Sequence, residues 1–284
     1  MNRLPVGRQV AVIAALTEGS SIRSTVRMTG VAKNTITKLL SDLGPACAQH
    51  LDRTLRGLAC RRVQIDEIWS FCYAKQKNVP EHLKGLWGFG DVWTWVALDA
   101  DTKLVLAHRV GPRHPVIAYQ FMRDVAARLT TRVQLTTDGL VWYLDVVEQA
   151  FGSEIDYGML EKRYGRGPAP DASAAVRYSP ATITAATRRV IQGQPDRRYI
   201  STSYVERQNL TMRMAMRRFT RLTNGFSKKV QNHAAMVAIF YLHYNFCRIH
   251  QTLRVTPAIA AGVTDHVWEL NELIGVMGTR QQAA

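Results

Sequence analysis

The sequence predicts an α/β fold: a catalytic-sized domain mixing strands and helices, preceded by a small all-α unit. Three observations predict it. Residues 5 to 43 repeat apolar positions at helical spacing between Gly and Ser punctuation. From Arg61 onward the period drops to two, most clearly in RRVQIDEIWSFCYAK. Strand-like and helix-like stretches then alternate to the end of the chain.

The first helix runs from about Pro5, suited to a first turn, through Val10, Ile13, Ala14 and Leu16 to Gly19. Ser20 or Ser21 caps the second, which points Ile22 and Val26 inward and ends at Gly30. The third spans about Ala32 to Leu43, with Ile36, Leu39, Leu40 and Leu43 inward and Lys33, Asn34, Thr35, Thr37 and Lys38 outward. A short helix, a glycine turn and a helix with polar and basic early positions is helix-turn-helix grammar. The second helix of such a pair presents its N-terminal side chains to base edges and phosphates. Residues 1–58 are therefore expected to be a DNA-binding domain and linker, with Gly44 to Leu58 a helix or linker.

In the first strand Val63, Ile65, Glu67, Trp69, Phe71 and Tyr73 alternate with Gln64, Asp66, Ile68, Ser70 and Cys72. A basic connection follows over 75–90, then two strands, DVWTWVALDA and KLVLAHRVG, joined by a turn at Asp99-Ala100-Asp101-Thr102. Pro115 to Leu129 reads as a helix, TRVQLTTDG as a fourth strand, and Val141 to Phe151 as a helix. From Gly158 to Gln194 the pattern dissolves, which predicts an insertion over about 158–198. A helical stretch from Tyr199 to Phe219 comes next, with Ser203 and Glu206 spaced as a capping box. Val205, Met212, Met216 and Phe219 form its apolar stripe, and Asn209, Arg213 and Arg217 share the face of Glu206. A long helix from about Ser227 to Asn245 closes the domain at about residue 260, leaving 261–284 as a tail. Three strands, a helix, a strand, a helix and closing helices is the order of an RNase H-like (integrase-type) domain.

Lys and Arg number 37 against 22 Asp and Glu, a formal charge of +15 and a sequence pI near 10.0. Such a field attracts polyanions, nucleic acid foremost. Between Arg188 and Lys229 only Asp196 and Glu206 interrupt a run of arginines and lysines. Cys47, Cys60, Cys72 and Cys247 have no metal-ligand spacing and read as reduced thiols of a cytoplasmic protein. No segment approaches the roughly 18 apolar residues of a membrane helix.

Asp is disfavoured in central strands, so Asp66 and Glu67 within an apolar strand point to chemistry, although periodicity alone does not choose between them. Asp138 sits where the fourth strand runs out, in an Asp-Gly pair that also suits a plain turn. With Glu206 from the late helix, these acids would supply hard oxygen donors for Mg²⁺. Two such ions can activate a water or a 3′-hydroxyl and stabilise the leaving oxygen at phosphorus.

The blocks IDEIWSF around Asp66, TTDG with Asp138, STSYVERQNLTMR around Glu206, FTRLTNGFSKK and HYNFCRIHQTLRVTPA together resemble bacterial insertion-sequence transposases of the DDE type, closest to the insertion-sequence-one family. They fall across most of residues 60–260. The resemblance implies that Asp66, Asp138 and Glu206 are the catalytic and metal-binding triad, with Glu67 a neighbour. It implies Mg²⁺-dependent cleavage and strand transfer at the ends of a mobile element, with Mn²⁺ as substitute and two ions at work. Relatives often carry a cysteine zinc motif ahead of the helix-turn-helix; this chain has no such spacing. Expected partners are double-stranded DNA, as element ends and target, and further copies of the chain in a dimer or larger assembly, with no membrane. DNA contacts are expected from Lys33, Asn34, Thr35, Lys38, Asn209, Arg213, Arg217, Lys228 and Lys229. The rival reading is a helix-turn-helix DNA-binding regulator whose RNase H-like domain is inactive; a nuclease without joining activity is a third.

Overall fold

The computed structural model describes residues 4–165, 182–220 and 223–281. Its centre is one mixed sheet. The strands are β1 (Arg62–Cys72), β2 (Gly90–Asp99), β3 (Val105–Gly111), β4 (Val133–Asp138), β5 (Ile155–Tyr164) and β6 (Ile183–Gln192), in the spatial order β3-β2-β1-β4-β5-β6. β1, β2 and β3 pair antiparallel, β4 and β5 run parallel to β1, and β6 returns antiparallel to β5. β1 is central and largely buried on both faces, with Gln64, Asp66, Glu67 and Ser70 set among its apolar residues.

Helices cover the two faces. On one lie α4 (Pro115–Ala126) and α5 (Trp142–Phe151), where Trp95 of β2 meets Phe121 and Tyr143. On the other lie α6 (Ser203–Ala215) and α7 (Val230–Leu242), where His108 of β3 packs on Tyr241 and Ser70 of β1 meets His233. α7 runs into a π turn at His243–Cys247. There the buried Asn245 amide pairs with both the N–H and the C=O of Val105, at 3.0 and 2.9 Å, completing part of an otherwise open edge strand.

The N-terminal helices are α1 (Val6–Thr17), α2 (Ile22–Thr29) and α3 (Lys33–Thr54). Ser21 accepts the Ser24 amide as N-cap, and Gly30 ends α2 in the left-handed region at φ 64°, as its position predicts. α3 does not stop near Leu43. It continues through Gly44 and Pro45, its buried positions lengthening to Cys47 and Leu51. This length lets it lie along α7, and the contact is close: a Cβ on Gly44 would sit 2.4 Å from the Cα and Cβ of Ala235. Gly44→Ala is therefore expected to lower stability by about 1–3 kcal/mol through overpacking, outweighing the roughly 1 kcal/mol helix-propensity gain. Urea unfolding of the two proteins checks the sign.

Two further expectations are corrected. Residues 158–164 and 183–192 are not insertion but the arms of a hairpin, in which β5 and β6 pair from Tyr157 to Tyr164; the connecting residues 166–181 lie outside the described set. β6 is exposed along most of its length, so it has no inner face to imprint a period on the sequence. The tail over 261–284 carries α9 (Leu270–Gln281), which packs against α1 and α3 with Leu273, Ile274 and Val276 buried; a single turn, α8 (Pro257–Ala260), precedes it. One hydrophobic cluster thus runs from Val12 to Val276. The four cysteines are free, and burial pushes the thiols of Cys60, Cys72 and Cys247 up to about 12. No described helix is long and apolar enough to cross a membrane.

Candidate metal centre and basic surfaces

β1 and β4 pair in parallel through Val63 with Leu135 and Gln64 with Thr136, and the same register carried two residues further places Asp138 beside Asp66. The first acid of the site is therefore mid-strand and the second is at a strand end, where β4 stops and Leu140 N–H caps Asp138 Oδ1 at 3.1 Å. Oxygens of Asp66, Glu67 and Asp138 come within 4.8 Å of one another. Glu67 belongs to the opposite face from Asp66, yet it joins the cluster from beneath. Its buried carboxylate takes the Tyr143 hydroxyl from α5 and Arg113 Nη2 at 3.2 Å from the loop after β3.

Burial raises the Asp66 carboxyl to about 7, helped by the charges of Glu67, Asp138 and Glu206. Glu67 is also raised to about 7, first by burial and then by Asp138, while Tyr143 and Arg113 hold it back. Crowded carboxylates of this kind resist full ionisation unless a cation joins them. Three hard oxygen donors without a thiolate or imidazole among them fit Mg²⁺ or Mn²⁺.

Glu206 reaches the same cleft from α6 by a different local structure than the sequence suggests. The helix begins at Ser203 with Thr202 as its N-cap, so Ser203 is not the cap and the Ser203–Glu206 capping box does not form. The Thr202 hydroxyl donates to Glu206 Oε1 at 2.5 Å, and the Ser203 hydroxyl accepts from Ser201. The amides at the helix start that lack an intrahelical partner are satisfied from far away: Gln64 Oε1, buried in β1, accepts Tyr204 N–H at 2.9 Å and Val205 N–H at 3.1 Å. A strand residue two places before Asp66 thus fixes the end of the helix that carries Glu206. One turn on, Asn209 Nδ2 donates to Asp66 Oδ2 at 2.8 Å, tying helix to strand a second time.

Asp66, Asp138 and Glu206 line one cleft of about 630 Å³ together with Arg113, Gly139, Glu161, Lys162, Arg163 and Tyr164. The 4.8 Å cluster, however, comprises Asp66, Glu67 and Asp138 and leaves Glu206 out. Glu206 instead pairs with Lys162 of β5. Arg113 and Lys162 are the site residues that sequence reasoning missed. Arg113 sits in a short loop and Lys162 in the stretch taken for an insertion, and only the sheet topology brings them to the acids. The Arg113 guanidinium carbon also lies 4.8 Å over the ring of Trp93 in β2.

The nucleic-acid candidates divide. Lys33 and Asn34 at the start of α3 and Arg217, Lys228 and Lys229 line a groove of about 1020 Å³, together with Arg23 and Arg218. Among the described residues, no Asp or Glu lines it. Arg218 donates to Ser227 Oγ at 3.1 Å and the Asn232 carbonyl at 2.7 Å, and burial lowers it to about 10. Thr35 and Lys38 are exposed on α3 outside this lining, and Lys38 pairs with Asp42 at 2.7 Å. Asn209 is buried against Asp66, and Arg213 is half-buried on α6. Arg217 does not continue their face, because α6 ends at Ala215, the following Met216 is extended, and Arg217 begins a separate 3₁₀ turn.

No protein-family profile matches the sequence, and no curated protein matches it. Among solved structures, the Mos1 strand transfer complex aligns over 55% of this chain and 58% of that one, at 12% identity and a TM-score of 0.24. The piggyBac transposase synaptic complex with hairpin DNA aligns over 92% of this chain and 59% of that one, at 10% identity and a TM-score of 0.32. The chain accordingly spans less than two thirds of the length of either neighbour.

Proposed function

We propose that the chain is a DNA transposase of the DDE type, cutting and joining DNA at the ends of an insertion sequence with Asp66, Asp138 and Glu206 as its acids. The observation that carries the reading is the meeting of Asp66 and Asp138 on adjacent parallel strands, with Glu206 on the wall of the same cleft. The strand order supports an RNase H-like domain, since β1 is flanked by the antiparallel β2 on one side and the parallel β4 on the other. α2, the Gly30 turn and α3 support a helix-turn-helix that reads the element ends through Lys33, Asn34, Thr35 and Lys38.

Two divalent ions bound by these carboxylates would supply a lowered pKa for the attacking water or 3′-hydroxyl and charge neutralisation at the leaving oxygen. The chain's own residues do the rest. Asn209 keeps the Asp66 carboxylate oriented, Gln64 anchors the helix of Glu206, and Arg113 places a guanidinium at the cleft wall within reach of a phosphate. The new phosphorus–oxygen bond forms in line with the one that breaks, and the leaving 3′-oxygen takes up the proton equivalent released by the nucleophile. Two element ends must be held together for joining, so the assembly is a dimer or larger.

The test is a cleavage and strand-transfer assay on terminal DNA with Mg²⁺, then with Mn²⁺, then with chelator. Cut ends joined to target support the reading. Tight binding without any nicking in Mg²⁺ or Mn²⁺ would make the chain a regulator, and nicking without joining a nuclease.

The basic groove has a metric relation to the cleft. Ser227 bridges Cys72, six residues along β1 from Asp66. At about 3.3 Å per residue this is about 20 Å, or about six nucleotides of one strand. Lys228→Ala and Lys229→Ala are each expected to weaken DNA binding across sequences and to reduce the slope of log K against log salt by about one. Binding isotherms at several salt concentrations measure this.

A further inference from the structure

Resting on the metal-site reading above, we infer that Lys162 is a built-in counter-ion of the acidic cleft. It holds Glu206 in the metal-free chain, yields it to the divalent ion, and then takes a phosphate oxygen of the substrate. Glu161, on the cleft wall, pairs with Arg189 of β6, and the four acids at the proposed metal site each have a different set of partners. Asp66 takes a neutral amide from Asn209, Asp138 a backbone N–H from Leu140, and Glu67 a phenol and a guanidinium from beneath. Glu206 takes the ammonium of Lys162 and the hydroxyl of Thr202, both on Oε1. That pairing accounts for its absence from the cluster formed by the other three acids.

The two partners differ in freedom. Lys162 rises from β5, paired with Ala186 of β6, and its side chain is only 17% exposed, so its ammonium stays in the cleft whether or not Glu206 holds it. The Glu206 side chain is 43% exposed and is free to turn toward Asp66 and Asp138. An ammonium is a compact charge with three rotatable donors on a flexible stem, able to pass from a carboxylate to a phosphate oxygen without rebuilding its surroundings. A bound metal and Lys162 are thus rivals for one carboxylate but allies toward the phosphodiester.

This rivalry gives the two readouts opposite signs. In the 284-residue chain, Lys162→Met is expected to tighten Mn²⁺ binding by about 3–10-fold, because the metal no longer displaces an ion pair. The same variant should weaken binding of an end-sequence duplex in Ca²⁺ and reduce its salt slope by about one, as for a lost phosphate contact. Lys162→Arg should keep the duplex affinity near wild type. In a Glu206→Gln background Lys162→Met should no longer tighten Mn²⁺ binding. Titration calorimetry with Mn²⁺ alone gives the first reading and fluorescence anisotropy the second, on variants whose melting temperature matches wild type. If Lys162→Met misfolds, Lys162→Gln takes its place with the same expectations. Mn²⁺ binding lost in Asp66→Asn but unchanged or weakened in Lys162→Met overturns this inference alone. Mn²⁺ binding unchanged in Asp66→Asn overturns the metal site, and this inference with it.

Discussion

Asp138→Asn should yield a folded chain that still binds DNA but cuts it about 10³-fold more slowly or not at all. The side chain lies at the end of β4, accepts one backbone amide and lines the cleft, so the amide fits the same volume and keeps the acceptor. What is lost is a negative oxygen that a divalent ion requires. Weakening that ion removes several kcal/mol of stabilisation from the pentavalent phosphorus and its leaving oxygen, and about 4 kcal/mol is a thousandfold in rate. Because the basic groove is formed by other elements, duplex affinity in chelator should stay within about twofold of wild type. Single-turnover cleavage of end-labelled DNA gives the first quantity and anisotropy the second. Undiminished cleavage would remove Asp138 from the chemistry.

The second large effect is on stability, and it fades at acid pH. Asp66 and Glu67 are held near 7 in the folded chain, well above an unfolded carboxylate. A carboxyl whose folded value is raised favours the folded state fully at acid pH, and that advantage is lost as pH rises from about 4 through about 7. The metal-free protein should therefore be less stable at pH 8 than at pH 5 as far as these two groups decide it. Asp66→Asn cannot ionise and keeps Asn209 in reach, so it should stabilise the metal-free chain at pH 8 by about 2–4 kcal/mol and do little at pH 4. Millimolar Mn²⁺ should raise the melting temperature of wild type at pH 8 and leave the variant unmoved, since binding to the folded state alone stabilises it. Thermal melts at pH 4, 5 and 8, with and without Mn²⁺, test all five expectations. A variant less stable than wild type at pH 8 without metal would show that the site does not carry the crowding the geometry implies.

Much of this arrangement was legible in the sequence, for reasons that differ from element to element. β1 announces itself because it is buried on both faces, and two acids in such a strand call either for chemistry or for arginine partners, of which Glu67 has one in Arg113. Asp138 was placed by the end of an apolar run, which is where β4 ends. α2 and its glycine cap followed from short-range grammar. The failures have a common cause in contacts that sequence spacing does not carry. β6 was missed because an exposed strand has no inward side to repeat. Past Leu43 the sequence leaves helix and linker both open, and α3 runs on as helix through Gly44, where that glycine serves the crossing with Ala235. The start of α6 was misread because its capping acceptor is Gln64, 140 residues away in the chain. For the same reason Arg113 and Lys162 escaped notice until the sheet brought loop, hairpin and acids together.

The central claim is that one divalent ion joins Asp66 to Asp138, with Glu206 drawn in from α6. The most direct measurement is the anomalous difference map of crystals soaked in Mn²⁺. The account predicts a peak between the carboxylates of Asp66 and Asp138, at about 2.1 Å from an oxygen of each, with Glu206 turned away from Lys162. A cleft without a peak at saturating Mn²⁺, or a peak bound by neither Asp66 nor Asp138, contradicts it.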